Sequence, residues 1–108
     1  MILREWRGRA DYARESAYPS HFRTRVAPEL RRIVGFLGAD LLRRDVGHGV
    51  EFTVITRWAS MDAVSAFAGG DPGKAIVEPG AVEALRDFDD RVSHHEVLEH
   101  IGGAENPS

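Results

Sequence analysis

The apolar residues of this chain recur with two different periods, and the points where the period changes outline its elements. Residues 2–9 carry Ile2, Leu3 and Trp6 among charged neighbours, which predicts a first strand. Asp11 to Ser20 is polar and turn-prone. Tyr18, Phe22, Val26, Leu30 and Ile33 then recur at spacings of 4, 4, 4 and 3, the apolar stripe of a helix. Pro19 suits the start of that helix, where its missing N–H would be unpaired anyway. Pro28 falls inside the stripe. It removes a backbone hydrogen bond and crowds the preceding turn, so a kink or a division near Ala27 is expected. Gly35 is the expected left-handed cap. Phe36 to Arg44 and Val50 to Trp58 read as two strands joined at Gly47-His48-Gly49, a tight-turn signal. In the second of them Phe52, Val54 and Trp58 share one side, and Thr53, Ile55 and Arg57 share the other. Ser60 and Asp62 mark the start of a helix carrying Met61, Val64, Phe67 and Ala68, which ends in Gly69-Gly70-Asp71-Pro72-Gly73. Pro79 opens a further helix with Val82, Leu85 and Phe88, and Arg91 to Glu99 forms the last strand.

The order strand, helix, strand, strand, helix, strand is the split βαβ arrangement of the ferredoxin-like kind: an α+β fold with a four-stranded antiparallel sheet. The domain is expected over residues 1–100, with 101–108 a disordered tail. Both helices then lie on one side of the sheet. The second strand offers Leu37, Ala39 and Leu41 on one side and Phe36 and Leu42 on the other, so both sheet faces look apolar. Helices cover only one, which predicts a homodimer formed through the open faces.

Length and composition narrow the class. The 108 residues suit one domain. No apolar run reaches the roughly 20 residues of a membrane span, and the N-terminus lacks a secretory pattern, so a cytoplasmic protein without membrane contact is expected. The absence of cysteine removes disulfides, thiolate metal sites and a Cys nucleophile. A net charge of −3 speaks against nucleic acid as a partner. The charge is uneven. Residues 1–44 hold ten Arg against five acids, and residues 45–108 hold four cations against twelve acids. The two halves either neutralise each other in the fold or leave a basic region for an anionic ligand.

Several segments together resemble the antibiotic biosynthesis monooxygenase family. They are Gly35-Phe36-Leu37-Gly38-Ala39, Val50-Glu51-Phe52-Thr53-Val54-Ile55-Thr56-Arg57-Trp58, Ala59-Ser60-Met61-Asp62-Ala63 and Val92-Ser93-His94-His95-Glu96-Val97. The resemblance runs in order from about residue 1 to 98. It implies a dimeric α/β barrel with a pocket between the sheet and the helices of each subunit. It also implies oxygen-dependent oxidation of an aromatic substrate without flavin or metal. A related branch binds and degrades haem with an Asn on the first strand, a Trp ending the third and a His after the second helix. Trp58 matches that Trp. The Asn position falls at Glu5 or Trp6, and the His position falls near Ile76, so two of the three residues differ.

The candidate chemistry is sparse. His21 and Arg25 are one helical turn apart on the same side; His21 is a candidate general base, and Arg25 can receive an anionic group. Phe22, beside His21, and Trp58 are candidate substrate contacts, each otherwise a core residue. His94 and His95, adjacent on a strand, point to opposite faces. The one facing the helices is a further catalytic candidate, and alternation leaves open which that is. No set of residues has metal-ligand spacing, and no nucleophile elbow, phosphate loop or dinucleotide fingerprint is present. The expectation is a small cofactor-independent monooxygenase acting on an aromatic or polycyclic substrate. Its alternatives are a non-catalytic ligand-binding or stress-associated module and a haem binder ligated from a new position.

Overall fold

In the computed structural model, which describes residues 1–104, five strands form one antiparallel sheet. The long strands are β1 (Ile2–Ala10), β2 (Phe36–Asp45) and β3 (Val50–Trp58), in the spatial order β2-β3-β1. Two short strands, β4 (Asp87–Phe88) and β5 (Ser93–Glu96), both pair with the free edge of β1. Register runs from Ile2 opposite Trp58 to Ala10 opposite Val50. This places Arg4, Trp6, Gly8 and Ala10 on one face with Val50, Phe52, Val54, Thr56 and Trp58. Helices α1 (Ala17–His21), α2 (Ala27–Leu30), α3 (Met61–Ala68) and α4 (Pro79–Ala84) cover that face. The α+β class and the ferredoxin-like strand order are those expected from the sequence. None of the helices among the described residues is long and apolar enough to cross a membrane.

Local chemistry explains the elements and their departures from expectation. Between α1 and α2 the chain is a π-helix over Phe22–Val26, and the Ala27 N–H bonds back to the Phe22 carbonyl. Pro28, in the first turn of α2, has no N–H to continue an α-helical ladder, so the helix widens just before it. The helix ends at Leu30, ahead of the expected cap. Gly35 instead turns the chain into β2 with φ of +90°, and a Cβ there would sit 2.5 Å from that of Ala63, so only glycine lets α3 approach. The Ser60 hydroxyl caps α3 by accepting from the Ala63 N–H at 3.2 Å.

Two expectations are corrected. The pairing of β2 with β3 slips between Phe36 and Gly38, a bulge that returns Phe36 to the helix-covered face with Ala39 and Leu41. Simple alternation had set Phe36 against them. The last strand is also not one run. Helix α4 stops at Ala84, Leu85 is extended, and Phe88 lies on β4 opposite Gly8 rather than on the helix. Between β4 and β5 the chain leaves β1 and pairs with residues 73–75. The Ala75 N–H donates to Asp90 and the Val92 N–H to Gly73, at 2.8 and 2.9 Å, while Arg91 grips Asp71. Of the expected tail, residues 101–104 have no regular structure and 105–108 lie outside the described residues.

The core is divided. One cluster joins Tyr18, Val50, Phe52, Ala81 and Leu85 near the hairpin end. The other joins Leu30, Trp58 and Val64, with Phe36 and Phe67 against them.

Candidate functional site

A cavity of about 440 Å³ lies between the sheet and the helices, with residues of both clusters in its walls. The sheet supplies Arg4 and Trp6 from β1 and Val54 and Thr56 from β3. The first helical stretch supplies Tyr18, His21, Val26 and Leu30, and α3 supplies Phe67. The segment leading into α4 closes it with Ile76, Val77 and Glu78. The walls are mostly apolar and aromatic with a few polar groups, the usual make-up of a small-molecule site. Trp6 is held by its indole N–H, which donates to the Asp89 carbonyl at 2.8 Å, and its ring lies 5.7 Å from that of Tyr18.

Two polar groups stand out. The Nε2 of His21 is sealed from solvent and has no hydrogen-bond partner among the described residues. Its ring packs on Gly80, where an added Cβ would come within 2.7 Å of Nδ1. Arg4 is 5% exposed. Its guanidinium donates to the carbonyls of Pro72 and Lys74, bonds the Nε2 of His94 at 2.9 Å, and lies 5.7 Å from the centre of the Phe67 ring. Burial lowers the pKa of Arg4. His94 is pushed below the ordinary imidazole range by burial first, then by Arg4 and His95. It is therefore neutral, and its Nε2 accepts from Arg4. Tyr18 is held protonated by burial, with the charge of Glu78 adding to the effect.

The residues singled out in the sequence separate. His21 lines the cavity. His94 pairs with Arg4 on the helix-covered face, while His95 lies opposite Leu3 on the open face and is exposed. Arg25 is exposed and outside the cavity, so the helical turn that joins it to His21 in sequence does not bring both to one ligand. Phe22 is half-buried against the first core cluster. Trp58 is fully buried behind the wall: its ring stacks on Phe67 at 5.1 Å, and its N–H donates to the Thr56 hydroxyl at 2.8 Å. It positions two wall residues without itself reaching the cavity.

Arg4, Trp6, Tyr18 and Phe67 were not anticipated as site residues. Arg4 had one available signal: it has the same parity along β1 as Ile2 and Trp6, which sets an arginine among apolar residues on one face of the strand. Among the described residues no group of three or more His, Asp or Glu side chains is arranged to hold a metal ion.

A family model described as antibiotic biosynthesis monooxygenase matches residues 1–79. No curated protein matches the chain. Among solved structures, the heme-degrading protein Rv3592 from Mycobacterium tuberculosis is similar at 28% identity over 95% of this chain and 98% of its own, with a TM-score of 0.62. The same protein, MhuD, with two hemes bound in its active site, aligns at 25% identity over 94% of this chain and 100% of its own, with a TM-score of 0.61. SnoaB, a cofactor-independent oxygenase from Streptomyces nogalater, aligns at 18% identity over 94% of this chain and 96% of its own, with a TM-score of 0.61, a likeness that speaks for the fold.

Proposed function

The chain belongs to the antibiotic biosynthesis monooxygenase family, and from that premise we propose that it is a cofactor-independent monooxygenase acting on a flat aromatic substrate in the sheet–helix cavity. The observation that carries this reading is the mostly apolar, aromatic cavity between sheet and helices, to whose wall His21 contributes an imidazole. A buried ring nitrogen without a partner is costly, and a small turn of the His21 ring toward a bound ligand would satisfy it. Dioxygen reacts slowly with closed-shell organics, so without a cofactor the substrate must supply an electron-rich anion. His21 takes the proton of an acidic carbon or phenol. The resulting carbanion adds dioxygen, and the peroxide collapses to a carbonyl with loss of water. One oxygen atom stays in the product, and the other leaves with both hydrogens of the oxidised carbon. Trp6, Tyr18 and Phe67 supply the flat, dry surroundings that protect such an intermediate.

Oxygen uptake with a panel of anthrones and quinols tests the reading. Turnover of one of them that falls about 100-fold or more in His21→Ala supports it. Tight binding with no oxygen consumed would instead favour a non-catalytic binding module. A haem-binding reading is favoured by the likeness to heme-degrading proteins and by the imidazole that His21 brings to the cavity wall. Ile76, half-exposed on the cavity wall, offers hydrocarbon where that branch has its histidine. A haem titration separates the two: a Soret shift that disappears in His21→Ala would establish haem as the ligand.

The open sheet face is proposed to meet a second copy of the chain. Leu3 and Ile55 lie there, half-buried, with exposed Leu42 beside them, and the helices leave them uncovered. Sedimentation at tens of micromolar should give twice the chain mass; a single-chain mass would contradict the pairing.

A further inference from the structure

Buried charges are ordinarily paired with an opposite charge, and Arg4 is an exception. Its partners among the described residues are two carbonyls and a neutral imidazole, none of which offsets its charge. Among the described residues no carboxylate lies within ion-pair reach of it, and no acid acts on its pKa. Two acids share the cavity, but Glu29 is exposed, and Glu78 exerts its field on Tyr18. The contact with Phe67 eases the charge without cancelling it. The guanidinium also has donors to spare: its Nε–H and one Nη2–H have no partner among the described residues. Pro72, Lys74 and His94 hold it from three directions, so the group is rigid and lines the cavity with its charge unanswered.

We propose that Arg4 anchors a carboxylate or phenolate group of the cavity's ligand, so that the substrate class is an aromatic acid or acidic phenol and not a neutral polycycle. This rests on the reading of the cavity as the substrate site. Trp6 follows Arg4 on the same face of β1 and stands 5.7 Å from Tyr18, whose ring is 6.1 Å from that of His21. A flat ring along Trp6 would thus have its acid group at Arg4 and its reacting edge toward His21. The anchor also fits the broken last strand: the segment that supplies the Pro72 and Lys74 carbonyls to the guanidinium is the one that pairs with Asp90 and Val92 and draws them from β1.

The test is calorimetric binding of naphthoate and of its neutral isostere naphthamide. Wild-type protein should bind naphthoate at least about tenfold more tightly. Arg4→Gln should bring the two affinities to within about threefold of each other, and Arg4→Lys should keep part of the preference. Equal affinities in the wild type, or no binding of either at millimolar concentration, would overturn the proposal without recourse to a variant. A folded Arg4→Gln that still prefers naphthoate would do so as well. Anion preference without any oxygen uptake would leave the anchor standing and remove the oxygenase. Oxygen uptake with no preference for acids would do the reverse.

Discussion

On the open face of the sheet, Arg9 reaches Glu51 at 3.3 Å, Asp87 at 2.9 Å and Asp89 at 3.0 Å. Arg44 binds the same Glu51 at 2.8 Å, and Arg57 binds Asp40 at 2.6 Å. On the helix-covered face, a few ångströms away through the same backbone, Arg4 meets only carbonyls, an imidazole and an aromatic ring among the described residues. The open-face arginines and Asp40, Asp87 and Asp89 keep contact with water, where each pair contributes little, and the one buried acid among them, Glu51, has Arg9 and Arg44 to answer its charge. The covered-face charge sits among apolar side chains, where an unanswered cation is expensive. The difference teaches where to look for a ligand: paired charges build the sheet, and the unpaired one points to what the cavity takes.

Mutations on the two faces can sharpen or break this contrast. The largest effect is expected at Trp58, whose ring fills the second core cluster. Trp58→Ala should cost about 3–5 kcal/mol in urea unfolding. A loss as large for Ile55→Ala would mean that the open face is buried too, as it would be beneath a second copy. Next comes Gly80→Ala. Its new methyl group would press on the His21 ring, and misplacing that ring should cut turnover up to about 100-fold while stability changes by less than about 1 kcal/mol. If turnover is unaffected, His21 is not the proton acceptor.

Glu51→Gln should have a smaller effect, about 2 kcal/mol for a buried carboxylate bonded to two arginines, and one that depends on pH. Burial by itself raises the Glu51 pKa, but its bonds to Arg44 and Arg9 outweigh that and hold it below the ordinary carboxylate value. Asp87 is likewise lowered, chiefly by Arg9. A carboxylate lowered in the folded state contributes stability that is present above its unfolded pKa and lost as pH falls through the folded one. Wild-type protein should therefore lose stability below about pH 4.5, and Glu51→Gln should lose less over the same range. Identical acid titrations of the two would show that the network is not a source of stability. The smallest effect is expected for Asp40→Asn, a few tenths of a kcal/mol that vanish in about 0.5 M salt.

Local signals carried much of the fold. The 4, 4, 4, 3 spacing marked the first helical stretch, Pro28 marked where it changes form, and the Gly47-His48-Gly49 turn marked the hairpin. Hydrophobic period, a missing N–H and a positive φ are properties of a few neighbouring residues, so they can be read along the chain. The family resemblance supplied the sheet–helix pocket as an expectation. The site residues were only partly legible. His21 lines the cavity, whereas Arg25 and Trp58, equally plausible on paper, point outward or stand behind the wall.

What the sequence determined by itself is the order and type of the main elements, because period and turn chemistry are local. What only the tertiary structure decided depends on contacts between distant segments. The bulge that turns Phe36 inward depends on how β2 meets β3. The break in the last strand depends on residues 73–75 drawing Asp90 and Val92 away from β1. Which of two adjacent histidines faces the helices depends on the register of β5 against β1, which puts His94 beside Arg4. Arg4 itself shows the division most plainly. Its inward parity is written in the strand, but its lack of a counter-charge among the described residues emerges only once acids from distant segments have been placed.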